Sequence, residues 1–333
     1  MTKGTKIFRI IISILLGITM LVSAFFTLVF LLHIDRNIIG ASQGVFVAGV
    51  EITEHNEDDV LGDGTVFYDS YNHVLTFQNA EIEYDESLVY SKVDLMIQLI
   101  GENKFVLSGE TATAIHIADY LLRKDLSVFG DGSLTIEFKG SYESATGIQA
   151  KNIRIESDIT LIMPDCANIS NGIYSDASMV VSSGATVTVE NGTAVYSTAV
   201  KARNNMDIER GSALNVSARP GSVEICRGLT VGGALVVWED AKLNVSVDDE
   251  TAKLAECINV AGLFDIKDNA EVTASSKKSH AIACYGAMEL KPGADVSAST
   301  AGEGVDLLCY GVIVNHGATV NGEVEALCGI HNK

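Results

Sequence analysis

Positive charge is in short supply in this sequence. It holds 23 Lys and Arg against 43 Asp and Glu, a formal charge of -20 over 333 residues. Lys3, Lys6, Arg9 and Arg36 against Asp35 give residues 1–36 a charge of +3, so residues 37–333 carry -23. Such a surface repels phosphate, which argues against nucleic acid and anionic lipid headgroups as partners. No C-x-x-C pair occurs among the six cysteines, so zinc lacks its usual ligand spacing. The glycine-rich calcium repeat with a fixed Asp is missing. The "GDG" at Gly62 and Gly130 is followed by no Lys-Ser/Thr, so it is a turn signal and not a phosphate loop. Prolines number three, and Trp238 is the one tryptophan. No cofactor and no metal site are expected.

Glycine and small β-branched residues are plentiful, the composition of an all-β chain. The length admits one large or two ordinary domains.

Residues 10–34 read "IIISILLGITMLVSAFFTLVFLLHI", with only His33 able to carry charge. As a helix this run spans roughly 37 Å, more than the roughly 30 Å hydrocarbon core. Val22-Ser23-Ala24 resembles a signal-peptide cleavage site, but the apolar run continues through Ile34, longer than a usual signal core. The expectation is an uncleaved, single-pass anchor in the cell membrane. Lys3, Lys6 and Arg9 precede it, which places residues 1–9 in the cytoplasm and the bulk of the chain outside.

The rest of the chain repeats itself. "HAIACYGAMELKPGADVSAST" from His280 returns as "VDLLCYGVIVNHGATVNGEV" from Val305. Taking Val296 and Val320 as one position, the pattern of a small residue, a spacer and apolar-x-apolar steps back through Val272, Leu243, Leu214, Val187, Ile159 and Leu134. It continues more loosely to Phe105 and Leu75, ten copies at intervals of 24–30 residues. A second apolar-x-apolar pair lies upstream in most copies, from Leu126/Val128 to Met288/Leu290 and Val312/Val314. Turn residues such as "SSG", "ERGS" and "KPG" separate the pairs. A third short stretch follows: "TGIQA", "NGIYS", "TAVYS", "HAIACYG", "VDLLCYG".

Alternation with period 2 in runs this short means strands with one buried face. Three strands in 24–30 residues are too few for a four-stranded propeller blade, and the Leu/Asn signature of leucine-rich repeats is missing. A single-stranded, right-handed parallel β-helix of about ten coils fits, each coil stacked on the next at about 4.8 Å. The expected organisation is a tail over 1–9, an anchor over 10–34, an N-terminal β cap with a hairpin over 35–73, and β-helix repeats over 74–333. Cys257, Cys284, Cys309 and Cys328 fit one coil position and are expected as an inward, unbridged ladder. Stacked disulfides are the alternative, since one coil step suits disulfide geometry.

From Gly44 the chain reads "GVFVAGVEITEHNEDDVLGDGTVFYDSYNHVLTFQNAEIE". Gly49, Val50, Ile52, Thr53, Asn56, residues 59–66, Tyr68, Asp69, Leu75, Thr76, Asn79 and Ala80 carry a resemblance. The segment is similar to the opening of bacterial cell-surface proteins that contain a carbohydrate-binding domain. That resemblance implies a pectate-lyase-like, right-handed parallel β-helix at a bacterial surface, and carbohydrate as ligand.

β-Helix enzymes that cut polysaccharides need clustered carboxylates. Here the acidic residues are spread among turns, and Asp248-Asp249-Glu250, the densest group outside the cap, reads as a solvated turn. No catalytic residues are assigned. His116, His280 and His316 lack a nucleophile partner. For binding, Tyr285 and Tyr310 face outward on adjacent coils if Cys284 and Cys309 face in. Tyr174 and Tyr196 extend that line, and Trp238 sits at a turn. Aromatics in a row suit sugar rings, and the ordinary alternative is stacking between coils that stabilises the sheet face. The expected function is a non-catalytic surface protein for carbohydrate binding or adhesion. A β-helix polysaccharide lyase or hydrolase is one alternative. A structural rod that self-associates end to end at its C-terminal coil is another.

Overall fold

The computed structural model describes residues 41–118, 124–182, 184–302 and 304–333, with Met20 and Ser23. Apart from those last two, the expected anchor over 10–34 lies outside the described residues. Among the described residues no helix is long and apolar enough to cross a membrane.

The apolar-x-apolar runs become strands that bury every second side chain. Lys242–Val247 alternates exposed or half-buried with buried residues along its whole length, and so does Ala213–Ala218. Each coil carries three such strands, for instance Met206–Ile208, Ala213–Ala218 and Ile225–Val231. Corners between them are made by local turns: Ser212 N–H donates to Glu209 O at 3.0 Å, with Gly211 at φ +70°.

Among the described residues from Val74 onward, each strand pairs with its equivalent one coil away and not with its immediate successor in sequence. Among the described residues three sheets result, of 12, 12 and 10 strands. Sheet I holds the first strand of each coil, sheet II the second and sheet III the third. The ten strands of sheet II are all parallel, and the fold is an all-β parallel β-solenoid of about nine turns. Nine steps at about 4.8 Å make a rod of roughly 43 Å.

Register decides which residues stack. In sheet II, Leu134, Ile159, Val187, Leu214, Leu243, Val272, Val296 and Val320 pair in succession, as the repeat requires. All but Val320 are at most 1% exposed.

Four details depart from the sequence reading. Asn103, not Phe105, pairs with Leu134, while Phe105 pairs with Ile136. A buried amide there hides the apolar signal. Its Nδ2 donates to Ile100 O, Gly101 O and Ser133 O, and its Oδ1 accepts from Ala80 N–H at 2.9 Å, so burial leaves it satisfied. Leu75 belongs to sheet I, opposite Ile97. Ile313, not Val312 or Val314, stacks on Met288. In sheet III the equivalent of "NGIYS" is Thr198–Ala202, not "TAVYS", because Ile173 pairs with Val200.

Two antiparallel hairpins come first among the described strands. Ser42–Val47 pairs with Val50–Thr53 and, on its other side, with Val89–Ser91, the first parallel strand of sheet III. Val66–Asp69 pairs with Val74–Gln78 at the start of sheet I. The residues that carry the family resemblance here do turn chemistry. Asp59 Oδ1 accepts the N–H groups of Gly62 and Gly64, at 2.9 and 3.0 Å. Asn56 Oδ1 accepts from Thr53 N–H at 2.7 Å. At the other end Leu327 and Ile330 are exposed, 57% and 48%.

The opening repeat also has a steric cause. A Cβ on Gly286 would lie 2.3 Å from Gly262 O, and one on Gly311 would lie 2.3 Å from Gly286 O. At this corner successive coils approach too closely for any side chain, so the glycine of "CYG" recurs.

Candidate functional site

The five aromatic candidates fall at different places on the rod. Tyr285 and Tyr310 each sit one residue past a strand of sheet III, on adjacent coils, 46% and 42% exposed. Their rings stack with centroids 4.9 Å apart and planes 11° apart. The separation matches the coil spacing, so each ring spends one face on the other. What remains for solvent is their edges and one outer face each, a two-ring column and not a continuous platform.

Tyr174 lies elsewhere in sheet III, paired with Gln149 and Lys201. Its hydroxyl accepts from Arg203 Nε at 2.7 Å, and Lys201 and Arg203 lie over its ring at 5.3 and 5.5 Å. Burial, and then Arg203 and Arg227, hold the Lys201 ammonium below its ordinary pKa. Tyr196 stands toward the opposite end of its strand, paired with Ile169 and Ile225. Neither joins the Tyr285–Tyr310 pair. Trp238, 37% exposed, donates from Nε1 to Asp207 Oδ1 at 3.0 Å and carries Lys267 over its ring at 5.5 Å. Each of these contacts for Tyr174 and Trp238 bridges coils.

The expected solvated acidic turn is corrected at its centre. Asp248 and Glu250 are exposed and face Lys277, at 2.8 and 4.0 Å, but Asp249 is fully buried. Its Oδ2 accepts from Ser222 N–H at 2.8 Å. Its Oδ1 accepts from Thr251 N–H, Thr251 Oγ1–H and Ala252 N–H, at 2.8, 2.7 and 3.1 Å. Burial pushes its pKa up, and these bonds outweigh that and hold it below the ordinary carboxylate value. Asp249 pins one loop to the previous coil. Arg154 is likewise structural, bonded to Glu156 and, at 3.3 Å, to Glu209. Among the described residues no three His, Cys, Asp or Glu stand together as a metal-ligand group.

A surface the sequence reading passed over is the outward face of sheet II. The spacers of the apolar-x-apolar runs stack there as two columns. Thr188, Asn215, Asn244, Thr273 and Ser297 form one; Ser217, Ser246, Ser275 and Ser299 form the other. Asn244 Nδ2 donates to Asn215 Oδ1 at 2.9 Å across the coil step. From Asn215 to Ser299 the two columns are uncharged, and ion pairs flank them: Lys242 with Glu271 at 2.9 Å on one side, Lys277 with Asp248 at 2.8 Å on the other. Glu190 marks the N-terminal end of the serine column. Two shallow troughs of about 260 and 510 Å³ run along this face and share Ser246 and Ser275. Over the coils from Asn215 to Ser299 the face therefore offers neutral hydrogen-bonding groups at successive coils, on a strongly acidic chain. The signal is in the sequence, in "LNVSV", "VTASS" and "VSAST", at the spacer positions between the apolar residues.

Against known proteins, no family model, no curated protein and no solved structure matches this chain, so the resemblance carried by residues 49–80 draws no support from them.

Proposed function

We propose that this protein is a non-catalytic rod, anchored to a bacterial membrane through residues 10–34 and held outside the cell, that binds uncharged polysaccharide along the outward face of sheet II. We take the winding to be right-handed, the hand of parallel crossover connections. The observation that carries the reading is the neutral strip of Thr, Asn and Ser between Asn215 and Ser299, flanked by ion pairs and ended by Glu190, on an otherwise acidic chain. A neutral sugar polymer presents hydroxyl donors and acceptors at a regular repeat, and the strip answers with hydroxyls and amides about 4.8 Å apart. No charge is desolvated at its centre when a neutral chain docks. An anionic polymer meets the field of a chain carrying -23 over residues 37–333.

The decisive comparison is between two variants. Ser217→Asp combined with Ser246→Asp and Ser275→Asp places three carboxylates in the trough. This variant is expected to lose at least tenfold in affinity for a neutral polysaccharide. Tyr285→Ala with Tyr310→Ala is expected to keep that affinity. Retention that survives the aspartates and fails with the tyrosines would move the site to the aromatic pair.

A further inference from the structure

Six cysteines are present, and one pair of them stands in register on neighbouring coils. Cys284 ends the strand Ile282–Cys284, Cys309 ends Leu307–Cys309, and the two are direct partners in sheet III. Both are fully buried. In-register partners on adjacent parallel strands lie about 4.8 Å apart, inside the window of about 4.4–6.8 Å between the Cα atoms of a disulfide. The proximity of the two side chains, more than burial, raises the Cys284 thiol and lowers the Cys309 thiol from the ordinary value.

The expected four-cysteine ladder is therefore two long. Cys257 lies three residues before Val260, the register partner of Cys284, and its thiol points to Val245 O at 3.0 Å. Cys328 is exposed and lies against Tyr310 O at 3.3 Å, while Ala326 takes the place next to Cys309. Cys226 pairs with Ser197 and Ala255, and Cys166 with Tyr142. Burial pushes Cys226 and Cys257 up to about 12 and Cys166 up to about 11, so they stay protonated near neutral pH.

A turn-bonding role alone does not account for the pair. In the same column Ser175 Oγ donates to Lys151 O and Ser178 O, at 2.8 and 2.9 Å. The thiols of Cys284 and Cys309 approach the equivalent carbonyls at 3.4–4.0 Å, so a hydroxyl does that work better. Thiols on successive coils add what serine lacks, a bond to each other.

We propose that Cys284 and Cys309 form a cross-coil disulfide when the protein meets a small-molecule disulfide. The Cys309 thiolate attacks one sulfur of the small disulfide, whose S–S bond breaks and releases one thiol. Cys284 loses its proton and attacks the Cys309 sulfur, releasing the second thiol. Two protein S–H bonds are lost, one S–S bond forms, and one small disulfide is reduced to two thiols. Because both sulfurs are buried, the reaction runs through brief local opening of the coil edge.

The test uses the purified full chain with oxidised glutathione as the probe under native conditions. The sample is then denatured, its free thiols are alkylated, and it is cleaved after glutamate. Glu289 and Glu303 lie between the two cysteines, so a bridge joins two separate peptides. The expected result is that the Cys284 and Cys309 peptides are linked to each other and Cys166, Cys226 and Cys257 are alkylated, with the exposed Cys328 either alkylated or carrying glutathione. Cys309→Ser should give no internal cross-link, and Ser175 shows that the column accepts a serine. Six alkylated thiols after oxidation, a bridge between any other pair, or an internal bridge that persists in Cys309→Ser would each overturn the proposal.

Discussion

Removing the Asp249 carboxylate should destabilise the middle of the rod through one loop. In Asp249→Ala, Ser222, Thr251 and Ala252 lose the acceptor of their backbone N–H groups, and the Thr251 hydroxyl loses its own. A hydrogen bond to a charged group contributes about 1.5–3 kcal/mol, and a stranded buried donor costs about 1–3 kcal/mol. The four bonds share one carboxylate and are not additive, so about 3–5 kcal/mol is the reasoned total. At about 2 °C per kcal/mol for a chain of this size, Tm should fall by about 6–10 °C. Asp249→Asn separates charge from shape. Its Oδ1 can keep Thr251 and Ala252, but an amide NH₂ then faces the Ser222 N–H, donor against donor, so an intermediate loss is expected. The pH dependence has a definite sign. The folded pKa is depressed, so this stabilisation is fully present above the unfolded value of about 3.9 and is lost as pH falls through the folded one. Melting curves by circular dichroism at pH 7 and pH 3 provide the assay. A Tm for Asp249→Ala within 1–2 °C of the parent at pH 7 would refute the reasoning, since about 3 kcal/mol shifts Tm by about 6 °C.

Other consequences are read with the same melts. Gly286→Ala forces a Cβ within 2.3 Å of Gly262 O, and the coils must part; a loss of about 2–3 kcal/mol is expected, against near neutrality for Gly317→Ala beyond its own positive φ of 97°. Leu243→Ala opens a cavity under the strip and should cost about 2–5 kcal/mol. Tyr310→Ala removes the stacked partner of Tyr285 and should cost about 0.5–1.5 kcal/mol beyond the lost burial.

The solenoid is legible because its two clearest strands per coil alternate strictly, so Leu134 through Val320 recur in one register. Legibility failed where a polar residue sits inside. Asn103 occupies an interior position only because four backbone groups satisfy it, and the true register was displaced by two residues to Phe105. It failed again in sheet III, where the preceding loops differ in length. "TAVYS" and the Tyr174–Tyr196 line were therefore placed by local likeness, while the ladder follows Ile173 to Val200. Asp249 looked solvated because its neighbours Asp248 and Glu250 are; nothing local distinguishes the carboxylate that turns inward to collect N–H groups. The neutral strip needed only the alternation already in hand, read on its outward side.

The most direct test of the binding account is native electrophoresis of the full chain through gels cast with different polysaccharides, neutral and anionic. Retardation by at least one neutral polymer, with unaltered mobility in anionic ones, is the result the sheet II strip predicts. Unaltered mobility in every neutral gel, or retardation by an anionic polymer alone, would contradict it.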